Sequence, residues 1–94
     1  MSGHIEFVFN IKCEFVSVKV EGTMSLYTDP SNFIGRNVRD VLPEAVASIT
    51  LISVNKCIAT GEDQEYDYEL AGSMYHAKLT RTTNSVVAII TSTV

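Results

Sequence analysis

Two segments near the N-terminus alternate apolar and polar side chains, which is the pattern of half-buried β-strands. The apolar positions of the first are Ile5, Phe7, Phe9 and Ile11, and those of the second are Val16, Val18 and Val20. We predict a two-residue turn at residues 12–13 that joins them as an antiparallel hairpin. That turn sets Phe9 opposite Val16 on the apolar face, and it sets Glu6 opposite Lys19 on the polar face.

The chain between this hairpin and residue 43 is divided by residues that favour turns. Gly22, Pro30 and Gly35 interrupt it, so we expect two short helical pieces there and no long helix. The second piece is predicted over residues 34–42, because apolar side chains recur at helical spacing and Pro43 follows them. These side chains are Ile34, Val38, Val41 and Leu42.

One long helix is predicted next, from Pro43, which suits a first helical turn, to Gly61, which suits a C-cap. One apolar stripe of its helical wheel consists of Ala47, Leu51, Val54 and Ile58, and a second consists of Ala45, Ile49, Ile52 and Ala59. Only a narrow polar arc separates the two stripes. A helix that is apolar on two sides needs cover on both, so we expect both stripes to be buried.

Two further segments of alternating polarity follow the long helix and predict a second hairpin. We place its two-residue turn at residues 72–73, where a glycine comes first. In that register Tyr68 lies opposite Ala77 on the apolar face. Glu69 lies opposite His76 on the other face, and we interpret His76 as a partner of that carboxylate at the sheet surface.

The last segment, residues 86–90, is apolar at every position, which favours a central strand covered on both faces. We expect it to lie beside the first strand, in a five-stranded antiparallel sheet with all helices packed on one face. The length of the chain suits one domain with one core. Residues 1–94 are therefore predicted to form a single α+β domain.

Three segments in the second half of the chain carry a pattern known from one family. Residues 33–43 read FIGRNVRDVLP, residues 60–62 read TGE, and residues 66–70 read YDYEL. Together they resemble the PAS family of sensory domains, whose five-stranded sheet carries its helices on one face. The resemblance implies a sensory module that binds a small ligand or mediates dimerisation within a larger protein, such as a histidine kinase or a diguanylate cyclase.

A ligand-free adaptor, whose sheet docks protein partners, is the alternative function. The sequence contains no metal-ligand spacing, no phosphate-binding glycine pattern and no nucleophile motif, so we do not expect an enzyme. A small ligand that stays bound through purification would separate the sensory module from the adaptor.

A ligand cavity, if there is one, is expected between the helices and the sheet, where it would take a small and mostly apolar molecule. The candidate lining residues are Phe33, Val38, Val41, Leu51, Val54, Ile58, Tyr68, Tyr75 and Leu79. Tyrosine hydroxyls and the side chains of Thr50 and Ser53 would supply polar contacts. The other interpretation is that the same side chains simply fill the core.

The identity of any cofactor stays open, but we expect neither haem nor covalent flavin. The only imidazoles, His4 and His76, lie outside the long helix, where haem-binding members of the family would be expected to supply a ligand. No cysteine lies between Cys13 and Cys57, although the flavin-binding branch has its reactive cysteine near the short helices. We interpret Cys57 as a small buried hydrophobe.

Composition narrows the setting of the protein. The net charge is −4 and basic residues are scattered, so nucleic acid is not an expected partner. The longest apolar stretch is interrupted by polar residues and falls short of a membrane span. With two cysteines and no recognisable signal peptide, we expect a cytoplasmic protein.

Helices on one face of the sheet leave one side of the last strand pointing outward. We expect Val87 and Ile89, with Val8 beside them, to form an apolar patch that is bare in a monomer, and such patches mark interaction sites. A two-fold axis covers the patch most simply, because the same surface then serves both partners. The sequence therefore predicts a homodimer through Val8, Val87 and Ile89.

Overall fold

The computed structural model describes residues 3–22 and 29–92. The strands are β1 (His4–Phe9), β2 (Phe15–Glu21), β3 (Gln64–Leu70), β4 (Ser73–Arg81) and β5 (Val86–Ser92). The helices are a 3-10 turn at Pro30–Asn32, a short α1 (Val38–Val41) and a long α2 (Glu44–Thr60). The sheet has the strand order β2-β1-β5-β4-β3 and is antiparallel throughout. This is an α+β architecture, as the sequence predicts.

β5 occupies the centre of the sheet, between β1 and β4. Its residue Ala88 lies opposite Phe7 on one side and opposite Leu79 on the other. Val86, Ala88 and Ile90 are buried beneath the helical layer, as expected for the inner face of a central strand. The predicted position of this strand beside the first strand is confirmed.

The first hairpin is joined by a longer loop than the predicted two-residue turn. The Asn10 side-chain oxygen accepts hydrogen bonds from the backbone N–H groups of Lys12 (2.9 Å) and Glu14 (3.1 Å). Such Asx contacts stabilise a turn on their own, and Cys13 completes this one in a left-handed conformation with φ 64°.

The longer loop introduces a β-bulge that changes the end of the hairpin. Phe9 pairs with Phe15, so the predicted pairing of Phe9 with Val16 is wrong, although Glu6 pairs with Lys19 as predicted. Phe15 is therefore 1% exposed and Val16 is 50% exposed. The extra residue of the bulge moves the aromatic side chain to the buried face.

The second hairpin turns at Ala71 and Gly72, one residue earlier than predicted. Their φ angles are 54° and 83°, and two positive values are characteristic of the type I′ turn, whose twist suits a hairpin. Tyr68 therefore lies opposite Tyr75, and the predicted pairing with Ala77 is wrong. Because the register differs by two residues, every side chain keeps its predicted face.

The segment before α2 is partly extended, so the predicted helix over residues 34–42 is reduced to Val38–Val41. The backbone at Ile34 and Asn37 forms bridges with Phe15 and Glu14 of the first hairpin. The Phe15 N–H donates to the Arg36 carbonyl at 2.9 Å. These bonds to β2 compete with helix formation, and the helix begins only after Asn37, whose side chain accepts from the Arg39 N–H.

The long helix ends as predicted at Gly61, which has φ 73° and donates its N–H to the Cys57 carbonyl. Pro43 stands just before its first turn. The expectation that both apolar stripes are buried is wrong, because Ile52 is 67% exposed and Ala45 is exposed. The helix has the sheet on one side only, and its buried face includes the small polar residues Thr50 and Ser53. Neither α1 nor α2 is long and apolar enough to cross a membrane.

Four aromatic rings form the centre of the core, where the first hairpin meets the segment before α1. They belong to Phe7, Phe9, Phe15 and Phe33. The ring centroid of Phe15 lies 4.8 Å from that of Phe9 and 5.0 Å from that of Phe33. Such tilted and edge-on contacts add to the stabilisation from burial, so this cluster fixes the helical segment on the inner face of the sheet.

The turn at Ala71 and Gly72 generates a test of the register. We expect Ala71→Asn to raise the free energy of unfolding by about 0.5–1 kcal/mol, because asparagine tolerates the left-handed conformation better than alanine. Urea unfolding of the two proteins measures this difference. In the register with a turn at residues 72–73, position 71 would lie in a strand, where asparagine is unfavourable, so a loss of stability would contradict the observed turn.

Candidate functional site

All nine predicted cavity residues belong to the core. Phe33, Val38, Val54 and Leu79 are fully buried. The others are partly buried and pack against the core, and they are Val41, Leu51, Ile58, Tyr68 and Tyr75. The structure thus brings the predicted set together between helices and sheet, but as packed side chains. That they bind a ligand stays a prediction.

A small cavity lies elsewhere, between the first half of α2 and the middle of the sheet. Its volume is about 10 Å³, which is space for about one water molecule. The lining residues are Phe7, Phe9, Phe15, Leu42, Val46, Thr50, Tyr66, Tyr68, Ala88 and Ile90. Only Tyr68 belongs to the predicted set. Sites for organic ligands usually have volumes of about 300 Å³ or more, so this cavity is too small for one as it stands.

Residues of β1 and β5 line this cavity, and none of them is among the nine predicted lining residues. The alternation of apolar and polar residues in the two strands places Phe7 and Ala88 on the inner face. In the structure these two residues lie directly opposite each other. Alternation therefore indicates which residues of the two strands face the helices, but it does not show where their volumes leave a space.

The polar groups at the cavity are bonded to one another. The Tyr66 hydroxyl donates a hydrogen bond of 2.9 Å to Thr50 Oγ1 on α2. Burial raises the pKa of Tyr66 to about 12, although the hydrogen bond that Tyr66 makes to Thr50 lowers it in part. Burial also raises the pKa of Tyr68, whose ring stacks on Tyr75 at 5.4 Å. Both phenols are therefore neutral near pH 7, which suits them to packing and hydrogen bonding.

The two cysteines are free thiols in buried positions. Burial raises the pKa of both Cys13 and Cys57, and the negative charge of Asp63 contributes to the shift at Cys57. A thiol with a raised pKa is a poor nucleophile. Both positions therefore have the environment of a small hydrophobe, which agrees with the interpretation of Cys57.

A histidine and two carboxylates form a cluster on the outer face of the sheet. His76 Nδ1 lies 2.7 Å from Asp67 Oδ1, and His76 Nε2 lies 3.0 Å from Glu65 Oε1. The hydrogen bond to Asp67, followed by that to Glu65, raises the pKa of His76. The predicted partner, Glu69, lies opposite Met74 instead, because the hairpin turns one residue earlier.

The predicted apolar patch lies on this same outer face. Val8 and Val87 are directly opposite each other, and Ile89 lies one position along the face on β5. Each of the three is partly buried, and that a second copy covers the patch stays a prediction. Ile89 lies between Glu6 and Lys78, and the carbon chains of such residues cover part of an apolar neighbour.

The fold has a counterpart among solved structures. A domain of an HTR-like protein from Haloarcula marismortui superposes on this chain with a TM-score of 0.76 at 15% sequence identity. The superposition covers 97% of this chain and 98% of that one. No family profile matches the chain, and no curated protein matches it. At this level of identity the similarity shows a shared fold.

The bond between Tyr66 and Thr50 generates a prediction about stability. We expect Tyr66→Phe to lower the free energy of unfolding by about 1 kcal/mol, because the hydroxyl of Thr50 loses its partner in a buried position. Thr50→Val in the Tyr66→Phe background should then cost less than it does alone. Denaturant melts of the four proteins measure the coupling, and additive effects would contradict the assigned bond.

The cluster around His76 generates a prediction about pH. Its raised pKa means that the ion pairs stabilise the fold fully below about pH 6.5, and that this stabilisation is lost as pH rises through the pKa in the folded state. An NMR titration of His76 should show a pKa that falls most in Asp67→Asn and less in Glu65→Gln. Glu69→Gln is the matched control, and a larger effect of that change would contradict the register of the hairpin.

Proposed function

We propose that this chain is a PAS-like sensory or regulatory module of a larger signalling protein, and that it works through self-association of its outer sheet face. The similarity of residues 33–43, 60–62 and 66–70 to the PAS pattern supports the family. The fold shared with a domain of an HTR-like protein is compatible with a signalling role. The proposed role is regulatory and not catalytic, and the proposed setting is the cytoplasm.

The observation that carries this proposal is the two-sided apolar character of β5. The helical layer covers Val86 and Ala88 from one side. Val87 and Ile89 point to the other side, where no described element packs. Branched apolar residues on both faces are typical of strands that are covered on both. A second copy of the chain is the simplest partner that could cover Val87 and Ile89, because the same surface then serves both copies.

The packing of the described core residues favours signalling without a small ligand, which is the adaptor form of the function. Four of the nine predicted cavity residues are fully buried and the other five pack against the core. The separate cavity of about 10 Å³ has space for about one water molecule. A ligand of ordinary size would have to displace side chains of this core. In the adaptor form, the outer face itself is the functional surface.

A set of matched charge insertions tests the proposal. Ile89→Glu and Val87→Glu should convert a dimer to a folded monomer, because each places a carboxylate in the covered patch. Ile52→Glu makes the same change on the exposed stripe of α2 and should leave the dimer intact. Ala88→Glu, on the inner face, should unfold the domain instead, because it buries a charge in the core.

Sedimentation velocity at increasing concentration gives the oligomeric state of each variant, and circular dichroism shows which of them fold. Native mass spectrometry of the wild type reports any small molecule that remains bound. A wild type that stays monomeric at high concentration would refute the proposed self-association. Dissociation by Ile52→Glu, with no effect of Ile89→Glu, would move the interface to the helix.

A further inference from the structure

The charges on the outer face are arranged in a row that is antisymmetric about β5. Residues directly opposite each other in neighbouring strands share a face, and one such row crosses all five strands through Ile89. From β2 to β3 it consists of Lys19, Glu6, Ile89, Lys78 and Glu65. Glu6 and Lys78, one strand away from Ile89 on its two sides, therefore have opposite charges. Lys19 and Glu65, two strands away, have opposite charges as well.

Most of these charges form no ion pair with another residue in the described part of the chain. Among the residues that the structure describes, the only ion pairs join His76 to Glu65 and Asp67. Glu6 and Lys78, which flank Ile89 directly, make none, although both lie beside the apolar patch. They are available to a surface that packs on this face.

Two orientations of a two-fold axis through Ile89 keep the strands of the two copies aligned, as face-to-face sheets prefer. An axis that runs across the strands places each charge over the same residue of the second copy, so Glu6 faces Glu6 and Lys78 faces Lys78. An axis that runs along β5 exchanges the two sides of the strand. Glu6 then faces Lys78 of the second copy, and Lys19 faces Glu65. Only this second orientation makes the row complementary to itself, and like charges in the first would cost stability.

We propose that two copies pack outer face to outer face about a two-fold axis along β5, with Glu6 of each copy paired to Lys78 of the other. This inference rests on the self-association proposed above and adds its geometry. The neighbouring row fits the same axis, since it places Val87 on Val87 and Val8 against Thr80 of the second copy. The apolar residues thus lie on the axis, and the charges surround them.

The geometry of sheet packing makes the inner charge pair the important one. Face-to-face sheets align to within about 30°, so residues one strand away from the axis, at about 4.8 Å, remain close to their partners. The pair of Lys19 and Glu65 is twice as far from the axis and is displaced more. Glu6 and Lys78 should therefore contribute most of the electrostatic attraction.

The row that contains Asp67 and Glu21 brings like charges together in this dimer, and the repulsion weakens the association. Asp67 would face Glu21 of the second copy, although the hydrogen bond of 2.7 Å from His76 to Asp67 offsets part of that repulsion. The face of the sheet is also small. Five strands at about 4.8 Å and seven residues of β5 at about 3.3 Å give a flat footprint of roughly 550 Å², which allows an interface of about standard size at most. Affinity should therefore depend strongly on the charges.

A charge-reversal cycle tests the axis. Glu6→Lys and Lys78→Glu should each weaken the dimer by about tenfold or more, which corresponds to at least about 1.4 kcal/mol. The double variant should recover to within about threefold of the wild type, because the intermolecular pair is restored with its signs exchanged. Within one chain the two reversals place like charges beside Lys19 and Glu65, so recovery cannot come from intramolecular contacts.

Glu44→Lys and Lys56→Glu, on the exposed surface of α2, are controls that change the net charge equally and should not affect dimerisation. Dissociation constants come from sedimentation equilibrium, and thermal melts confirm that each variant folds. If Ile89→Glu dissociates the dimer but the double reversal is as weak as the single variants, self-association stands and the axis along β5 is overturned. A wild type that remains monomeric overturns both.

Discussion

The structure depends on one constraint, which is that the central strand is apolar on both faces while the described helices cover only one. β5 can be placed in the middle of the sheet because Val86, Ala88 and Ile90 find cover beneath the helical layer. That placement obliges β1 and β4 to pair with it, and it directs the four-phenylalanine cluster to the inner side. The same placement leaves Val87 and Ile89 outward, so the fold and the proposed interaction surface have a common origin.

The sequence predicts most strand faces because alternation is a local property, although the bulge exposes Val16. Ile5 and Phe7 face inward and Glu6 faces outward whatever the turn does. The turns were not predictable in the same way, because they depend on backbone conformations that the residue types at these positions do not specify. Asn10 could have bonded several backbone groups, and Ala71 is an uncommon residue at positive φ.

The candidate site shows a similar division. The nine predicted residues do meet between helices and sheet, because polarity determines which side chains are buried. Whether they enclose a space or fill it depends on how their volumes fit together in three dimensions. The cavity at Phe7 and Ala88 arises from such a fit. The exposure of Ile52 also escaped prediction, since an apolar stripe on a helix does not reveal whether a second layer exists to cover it.

The dimer is tested most directly by an isotope-filtered NMR measurement on a mixture of labelled and unlabelled chains, which detects only contacts between copies. A two-fold axis along β5 predicts intermolecular contacts from the methyl groups of Val87 and Ile89 to the same residues of the second copy, and from the Val8 methyls to Thr80. Contacts between copies that involve Ile52 and omit β5, or the absence of any contact at millimolar concentration, would contradict it.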